Sequence, residues 1–307
     1  MWLYSVPSRM FNSTRIPMAG CDEVLQTQAN HIVLFIQDHL YSIDVYGEHQ
    51  TLLSPTKILG RIQGCILDAQ KKGPAPPVSL LTADNREAWA KVRIYHKIHI
   101  WSLIFFQMRQ YLLDLSPRNR STLEKIDSSL FALSLDCPTT VSLSASSTHE
   151  RRDAHLHNTA YGCMGRNRWF DKTISFSVET NTRLGMMGEH SPCDALIPSI
   201  LGDFTVGVGM DPAFLSQSPT PDPGGWNRLE WAVDDTILKA CQRVQEEVRL
   251  LIQDSDDSVM WFEDYGVDWM RRVGEWMRTT PLGSIFISCS QTIPRRVYSN
   301  GPPTRVS

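Results

Sequence analysis

Residues 173–200 read TISFSVETNTRLGMMGEHSPCDALIPSI, and this stretch decides the class of fold. Ile174, Phe176 and Val178 alternate with polar residues, which predicts a strand with one face in the core. A glycine-rich turn follows, and the apolar run after it predicts a helix over residues 195–204. A strand that leads into a helix in this way favours layers of sheet and helix.

The residues before this stretch predict two strands and a helix. Residues 31–36 are almost entirely apolar and residues 41–45 alternate, which is typical of a hairpin. Ser54 and Pro55 supply an N-cap and a first-turn residue for a helix whose apolar residues recur at helical spacing as far as Gly73. Its apolar face predicts packing against the sheet.

The middle of the chain predicts two more helices and a strand. One helix enters through Asp84, and a capping box of Ser121 and Glu124 opens another just before a strand at residues 130–135. Residues 137–157 are rich in serine, threonine and charge, so we expect an exposed loop there.

The last third of the chain predicts one long helix. A loop over residues 205–225 precedes an amphipathic stretch that runs from Val233 to Leu251. Beyond Arg278 the chain is polar and rich in proline, which is typical of a frayed end. Strands interleaved with helices predict an α/β fold.

Composition excludes several classes of protein. At 307 residues, 42% hydrophobic and 21% charged, the chain can bury a substantial core. A net charge of -3 argues against nucleic acid as a partner, and the longest apolar run, residues 98–106, is too short to span a bilayer. Seven scattered cysteines without a C-x-x-C pair indicate a reducing compartment, and we expect the cytoplasm. Arg9 and Arg15, in an N-terminal stretch without acidic residues, leave an organellar transit peptide open.

His190 is the candidate catalytic residue, since it follows the predicted strand and turn and precedes the predicted helix. A neutral imidazole accepts a proton near physiological pH, so this residue suits a general base. Asp194 completes an H-x-x-x-D pattern, which also occurs at residues 149–153 in a charged segment. The pattern alone is weak, because Ser191 or Asp194 can simply cap the helix and leave the histidine incidental.

Two motifs in register make the pattern more specific. Residues 167–172 read NRWFDK and residues 189–191 read EHS, and both resemble signature segments of the carnitine/choline acyltransferase family. Further resembling segments are Arg15-Ile16-Pro17 with Asp22, Leu81-Thr82, Asn85-Arg86, Trp89, Asn119-Arg120, Leu130-Phe131, Leu135-Asp136, residues 231–234, Phe262 and Tyr265-Gly266. The resemblance covers roughly residues 9–272, and residues 189–200 are most similar to the fungal carnitine acetyltransferase branch.

The resemblance implies a chloramphenicol acetyltransferase-like mixed sheet flanked by helices, the first half of a two-domain carnitine acyltransferase. It implies His190 as the base that activates the carnitine hydroxyl or the coenzyme A thiol, with Asp194 in an orienting or structural role. Acyl-coenzyme A and carnitine would be the substrates, with coenzyme A as co-substrate and no covalently bound cofactor. The NRWFDK segment would support the active-site strand without taking part in the chemistry.

Departures from the family pattern suggest a second class of function. We expect a partial acyltransferase domain over residues 1–272 and a divergent, poorly ordered tail over residues 273–307, in a chain truncated at both ends. The family's oxyanion and carnitine-recognition segments have no counterpart here, and residues 94–110 read as foreign apolar sequence. The alternative is therefore a catalytically silent domain that binds a partner, or a second copy of itself, through an uncovered face. Acyl-chain length and the choice between carnitine and choline stay open.

Three further sets of residues are weaker candidates for a functional role. Arg271 and Arg272 stand where the family has lysines near the coenzyme A phosphates, and a solvated helix face explains them as well. His155 and His157 could share a strand face and hold a metal, but no third ligand stands at suitable spacing, so we predict no metal. Cys193, next to the candidate base, suggests a nucleophile, although packing explains it better.

Overall fold

A mixed six-stranded sheet forms the middle layer of the domain. The computed structural model describes residues 10–18, 21–90, 108–137, 148–162, 164–192, 194, 196–209, 212–215, 219–255, 257, 264, 266 and 269. The strands are β1 (Ser13–Ile16), β2 (Glu23–Gln26), β3 (His31–Ile36), β4 (His39–Asp44), β5 (Ala132–Asp136), β6 (Ile174–Glu179), β7 (Leu184–Gly188) and β8 (Trp226–Leu229). The large sheet has the order β7-β6-β5-β3-β4-β8, and β1 and β2 form a separate antiparallel pair.

Helices cover both faces of the large sheet. They are α1 (Pro55–Gln70), α2 (Arg86–Ala90), α3 (Met108–Leu115), α4 (Pro117–Ser128), α5 (Thr148–Tyr161), α6 (Leu196–Val208), α7 (Pro212–Leu215) and α8 (Asp235–Gln253), with 3-10 turns at Glu48–Gln50 and Val78–Ala83. Strands β3, β5 and β6 run parallel, while β4, β7 and β8 pair antiparallel with their neighbours. The α/β class and the mixed sheet flanked by helices are therefore confirmed. None of the described helices is long and apolar enough to cross a membrane.

Strand β3 explains why its sequence is almost entirely apolar. Val33 and Phe35 enter the core on one face of the sheet, and Ile32 and Leu34 enter the core on the other. A strand buried on both faces has no polar side to alternate with. Its antiparallel pairing with β4 confirms the predicted hairpin.

Helix α1 begins and packs as predicted. The Ser54 hydroxyl accepts a hydrogen bond from the Lys57 amide, with Pro55 at the first helical position. Cys65 and Ala69 are buried against the face of the sheet formed by Ile32 and Leu34. On the opposite face, α8 buries five residues in the other core cluster: Ile237, Ala240, Cys241, Val244 and Val248.

Several predicted boundaries were wrong. Helix α4 begins after Ser116, whose hydroxyl accepts from the Arg118 amide, so Ser121 lies inside the helix. Helix α6 continues to Val208, beyond the predicted end at residue 204. The short strands β1, β2 and β8 were not predicted, because four-residue segments show too little periodicity to be recognised. The predicted glycine-rich turn after β6 was wrong, since residues 184–188 form strand β7.

The predicted loop over residues 137–157 is partly helical, since it includes most of α5. Polar contacts hold this helix. The Glu179 carboxylate accepts from His155 Nδ1 at 2.8 Å and from Asn158 Nδ2 at 2.9 Å, and Arg168 donates to the Asn158 carbonyl oxygen at 2.9 Å. A helix held in this way lacks the apolar periodicity by which sequence analysis recognises a helix.

Candidate active site

His190 lies in the turn between β7 and α6 and is exposed. The amide of Glu189 donates to the Thr173 carbonyl oxygen at 2.9 Å, which ties the turn to the residue just before β6. This is the position between strand and helix that the sequence predicted. The side chain is therefore accessible to solvent and to a substrate on the described surface.

Asp194 lies at the start of α6. Its Oδ1 accepts from the Leu196 amide at 3.4 Å, and its carbonyl oxygen accepts from the Ile197 amide at 2.9 Å. Asp194 thus satisfies two of the backbone donors that a helix N-terminus leaves unpaired. This geometry matches the simple capping role that the sequence had left open.

The NRWFDK segment at residues 167–172 is buried and braces the sheet. Asn167 Oδ1 accepts from the Asp38 amide at 2.8 Å, in the β3–β4 turn. Trp169 stacks between Phe35 and Trp231, with ring centroids 6.5 and 6.2 Å away. The segment therefore joins separate parts of the core, as expected of a supporting element.

Asp171 is the centre of a buried ionic cluster. Arg86 Nη1 donates to its Oδ1 at 2.5 Å, and Trp89 Nε1 donates to its Oδ2 at 2.7 Å. Arg86 also contacts Asp22. Burial raises the pKa of Asp171, and Arg86, Trp89 and Arg15 partly offset that rise. The cluster thus links the NRWFDK segment to α2 and to the residues beside β1.

Lys172 is buried at the C-terminal end of α4. Its Nζ donates to Thr14 Oγ1 at 2.9 Å and to the Asp127 carbonyl oxygen at 3.1 Å, and it also contacts the Ser129 carbonyl oxygen. Burial lowers the pKa of Lys172 to about 7, although the Asp127 carboxylate opposes this shift. The amine satisfies carbonyl groups at a helix C-terminus, where a positive charge is favourable.

Arg15 connects this buried cluster to the turn that carries His190. Its Nη1 lies 2.6 Å from Glu189 Oε1, and its Nη2 lies 3.8 Å from Asp171 Oδ1. We had predicted no role at the site for Arg15. The only signal was that Arg15 belongs to one of the segments that resemble the family.

The remaining residues that the sequence suggested for a site are either outside the described residues or in a different element from the one expected. Arg271, Arg272 and Cys193 lie outside the described residues. His155 and His157 lie on α5, where His155 contacts Glu179 and His157 Nδ1 lies 2.7 Å from Asp257 Oδ2, so the expected strand or loop location is wrong. Among the described residues, no group of three or more His, Cys, Asp or Glu side chains is arranged to hold a metal ion.

Two adjoining clefts lie around residues 73–76, at the carboxyl ends of β3 and β5. Their volumes are about 630 and 300 Å³, and neither is lined by His190. Asp38 and Lys72 line both clefts. His190, by contrast, lies at the end of the sheet where β6 begins, so the clefts are not part of the candidate site.

Comparisons with known proteins agree with the motifs. The family model described as Choline/Carnitine o-acyltransferase matches residues 2–99 and 104–275, and the interruption lies within residues 94–110, which read as foreign sequence. A mixed sheet flanked by helices that carries these motifs defines the chain as an acyltransferase domain. The chain belongs to the carnitine/choline acyltransferase family.

Three relatives illustrate the range of the family. Rat mitochondrial carnitine O-palmitoyltransferase 2 is 32% identical over 60% of this chain and 24% of its own length. The Xenopus tropicalis protein of the same name is 26% identical over 86% of this chain and 36% of its own length. Mouse choline O-acetyltransferase is 24% identical over 96% and 44%. The chain thus spans less than half the length of these relatives.

Proposed function

We propose that this chain supplies the general base of an acyltransferase that moves an acyl group, acetyl in our proposal, between coenzyme A and carnitine. The observation that carries the proposal is the position of His190. It is exposed on the turn that follows the NRWFDK segment and β6–β7, and its neighbour Glu189 is tied to the buried cluster through Arg15. An accessible imidazole on an anchored turn is what a base needs in order to reach a substrate proton.

The proposed chemistry is direct transfer. His190 takes the proton of the carnitine hydroxyl while the oxygen attacks the thioester carbonyl carbon. The new C–O bond forms, the C–S bond breaks, and the coenzyme A thiolate leaves with the proton returned by the imidazolium. The reverse reaction begins with removal of the thiol proton by His190. No acyl-enzyme and no covalently bound cofactor is needed.

Other residues take supporting roles in this proposal. Asp194 holds the start of α6 behind the turn, as its hydrogen bonds to Leu196 and Ile197 support. Arg271 and Arg272 contribute positive charge for the coenzyme A phosphates, a role that rests on the family resemblance alone.

The test follows thiol release from acyl-coenzyme A by the purified chain. Four reactions pair acetyl- or palmitoyl-coenzyme A with carnitine or choline. Their rates determine both the preferred acyl chain and the preferred alcohol. In a preparation that turns over, His190→Ala should lower the rate about a hundredfold to ten-thousandfold, and His149→Ala should change it little. Equal losses in both variants, with circular dichroism unchanged, would show that the wrong histidine has been assigned.

The second candidate function is a catalytically silent domain that associates with another copy of itself. The observation that favours it is an apolar stripe on α6. Its members recur every four residues and are each at least half exposed: Leu196, Ile200, Phe204 and Val208. A contiguous apolar face of this kind favours association, and an exposed base lacks the water-excluded surroundings that make oxyanion stabilisation strong. This function predicts negligible thiol release in all four reactions.

The cytoplasm is the compartment that we propose. The described cysteines are all free, which fits a reducing environment. Fractionation of cells that express the protein from its native locus would test this, and recovery with mitochondria would contradict it.

A further inference from the structure

The backbone around His190 is held by its two neighbours. Strand β7 ends at Gly188, and the next amide, that of Glu189, still donates to the Thr173 carbonyl oxygen at 2.9 Å. The Glu189 carboxylate then holds the residue that follows His190. Its Oε2 accepts from the Ser191 amide at 3.0 Å, and its Oε1 accepts from the Ser191 hydroxyl at 3.0 Å. The peptide that carries the imidazole is thus enclosed by a local hydrogen-bonded ring.

The Arg15 guanidinium contacts this hydrogen-bonded ring from outside. Its Nη1 donates to Glu189 Oε1 at 2.6 Å and approaches the Ser191 hydroxyl at 3.5 Å. Both members of the ion pair are largely shielded from water, with side chains 18% and 13% exposed. A charge-assisted hydrogen bond of this length in a shielded place is stronger than a surface ion pair. One guanidinium therefore restrains both residues that flank His190.

Arg15 is itself held in place. Its amide donates to the Asp171 carbonyl oxygen at 2.8 Å, and its side chain lies 3.8 Å from Asp171 Oδ1 and 3.6 Å from Asp22 Oδ2. Arg86 contacts the same two carboxylates. A side chain whose backbone amide is hydrogen-bonded and whose guanidinium lies near two carboxylates loses less freedom when it binds Glu189.

We infer that Arg15 is a positioning residue for His190, because it transmits the rigidity of the buried Asp171 cluster to the turn. The inference deepens the proposed function. It rests on that function only for the expected effect of Arg15 on the rate of acyl transfer. Arg15 does not touch the reacting atoms in this scheme. A planar guanidinium that donates to one carboxylate and lies within 4 Å of two others holds direction as well as charge, whereas a lysine supplies only the charge.

The primary test observes the ¹³C resonance of the His190 side chain directly and does not require the chain to be catalytically active. The full chain is labelled with ¹³C at histidine Cε1, and the His190 resonance, one of nine, is assigned by its loss in His190→Gln. Arg15→Gln should shift or broaden this resonance, and Arg15→Lys should restore it in part. Arg118→Gln is the matched control, because it removes an arginine whose partner Glu230 is exposed. The control should leave the His190 resonance unchanged.

An unchanged His190 resonance in folded Arg15→Gln would overturn the inference. If that variant does not fold, Glu189→Gln replaces it, since this change keeps the shape of the side chain and removes the charge that faces Arg15. The same perturbation is then expected, and its absence would overturn the inference as well.

Kinetics separate this inference from the proposed function. In a preparation that turns over, Arg15→Gln should lower kcat by about tenfold to a hundredfold with little change in KM, the scale expected when a catalytic group is misplaced by about an ångström. Arg15→Lys should recover part of that loss. An unchanged kcat would overturn the inference. A chain without turnover would count against the proposed function only, because the resonance still reports the position of His190.

Discussion

The Arg168 guanidinium is enclosed in the domain, where its Nη2 donates to Asp136 Oδ2 at 2.7 Å. The pair joins the end of β5 to the last turn of α5, because Arg168 also donates to the carbonyl oxygens of Asn158 and Thr159. Neither side chain of the pair is more than 2% exposed. Each charge therefore depends on the other for compensation in a place that water does not reach.

Asp136→Asn should lower the free energy of unfolding by about 3–5 kcal/mol, since it leaves the Arg168 cation buried without its counter-charge. Urea denaturation followed by circular dichroism measures the loss. Glu230→Gln is the control, because its side chain is 43% exposed and its partners Arg118 and Arg228 are 61% and 29% exposed, and it should cost less than about 1 kcal/mol. Similar losses in the two variants would contradict the view that the Arg168 charge is isolated from water.

The buried Lys172 should make stability depend on pH. Its pKa is lowered to about 7 in the folded protein, from 10.5 in an exposed lysine. Between these values the unfolded chain binds the proton and the folded chain does not, so stability rises with pH across that window. The free energy of unfolding of the wild type minus that of Lys172→Met should therefore grow from about pH 7 to about pH 10.

A second buried group, the Asp127 carboxyl, does not change the pH dependence that Lys172 is expected to cause between about pH 7 and about pH 10. Burial raises the pKa of Asp127 to about 6, against the opposing effects of Arg109 and Lys172. Above pH 7 this carboxyl is ionised in both states, so its contribution no longer changes with pH. A difference between wild type and Lys172→Met that stays flat, or falls, with rising pH would show that the lysine remains charged in the folded state.

Gly64→Ala should destabilise the domain although alanine is the better helix former. A Cβ at this position in α1 would lie 2.5 Å from the Asp222 carbonyl oxygen and 2.8 Å from Trp226 Nε1. The gain of about 1 kcal/mol in helix propensity is smaller than the overpacking cost, so we expect a net loss of about 1–2 kcal/mol. Gly73→Ala is the control, since nothing lies within 4 Å of its added Cβ. A thermal melt in which Gly64→Ala is the more stable variant would refute the close contact.

The α6 stripe should control the oligomeric state. We expect the wild-type chain to form dimers or larger species at micromolar concentration, and Ile200→Lys combined with Phe204→Lys should shift it toward monomer. Multi-angle light scattering measures both. Leu52→Lys is the control, because Leu52 is 67% exposed but does not belong to the stripe. A wild-type chain that is monomeric throughout this range would contradict self-association through α6.

Local sequence patterns were sufficient to predict the helices and strands whose apolar residues recur at a regular period. The hairpin at residues 31–45, the capped helix α1 and the alternating strand β6 were predictable, because burial on a sheet or a helix face imposes a short period on the sequence. The placement of His190 between a strand and a helix was predictable for the same reason, although the predicted glycine-rich turn is strand β7. Helix α5 was not, because its contacts are polar and its partner Glu179 lies on another element.

The sequence by itself determined the α/β class, the family and the turn on which His190 stands, since each depends on residues close together in the chain or on motifs that can be read directly. Only the tertiary structure decided how that turn is held. Arg15 and Glu189 are 174 positions apart, and they meet because β1 pairs beside the Asp171 segment and β7 returns along β6. Ion pairs carry no periodicity, so a charged residue does not reveal its partner until the fold has brought the two together.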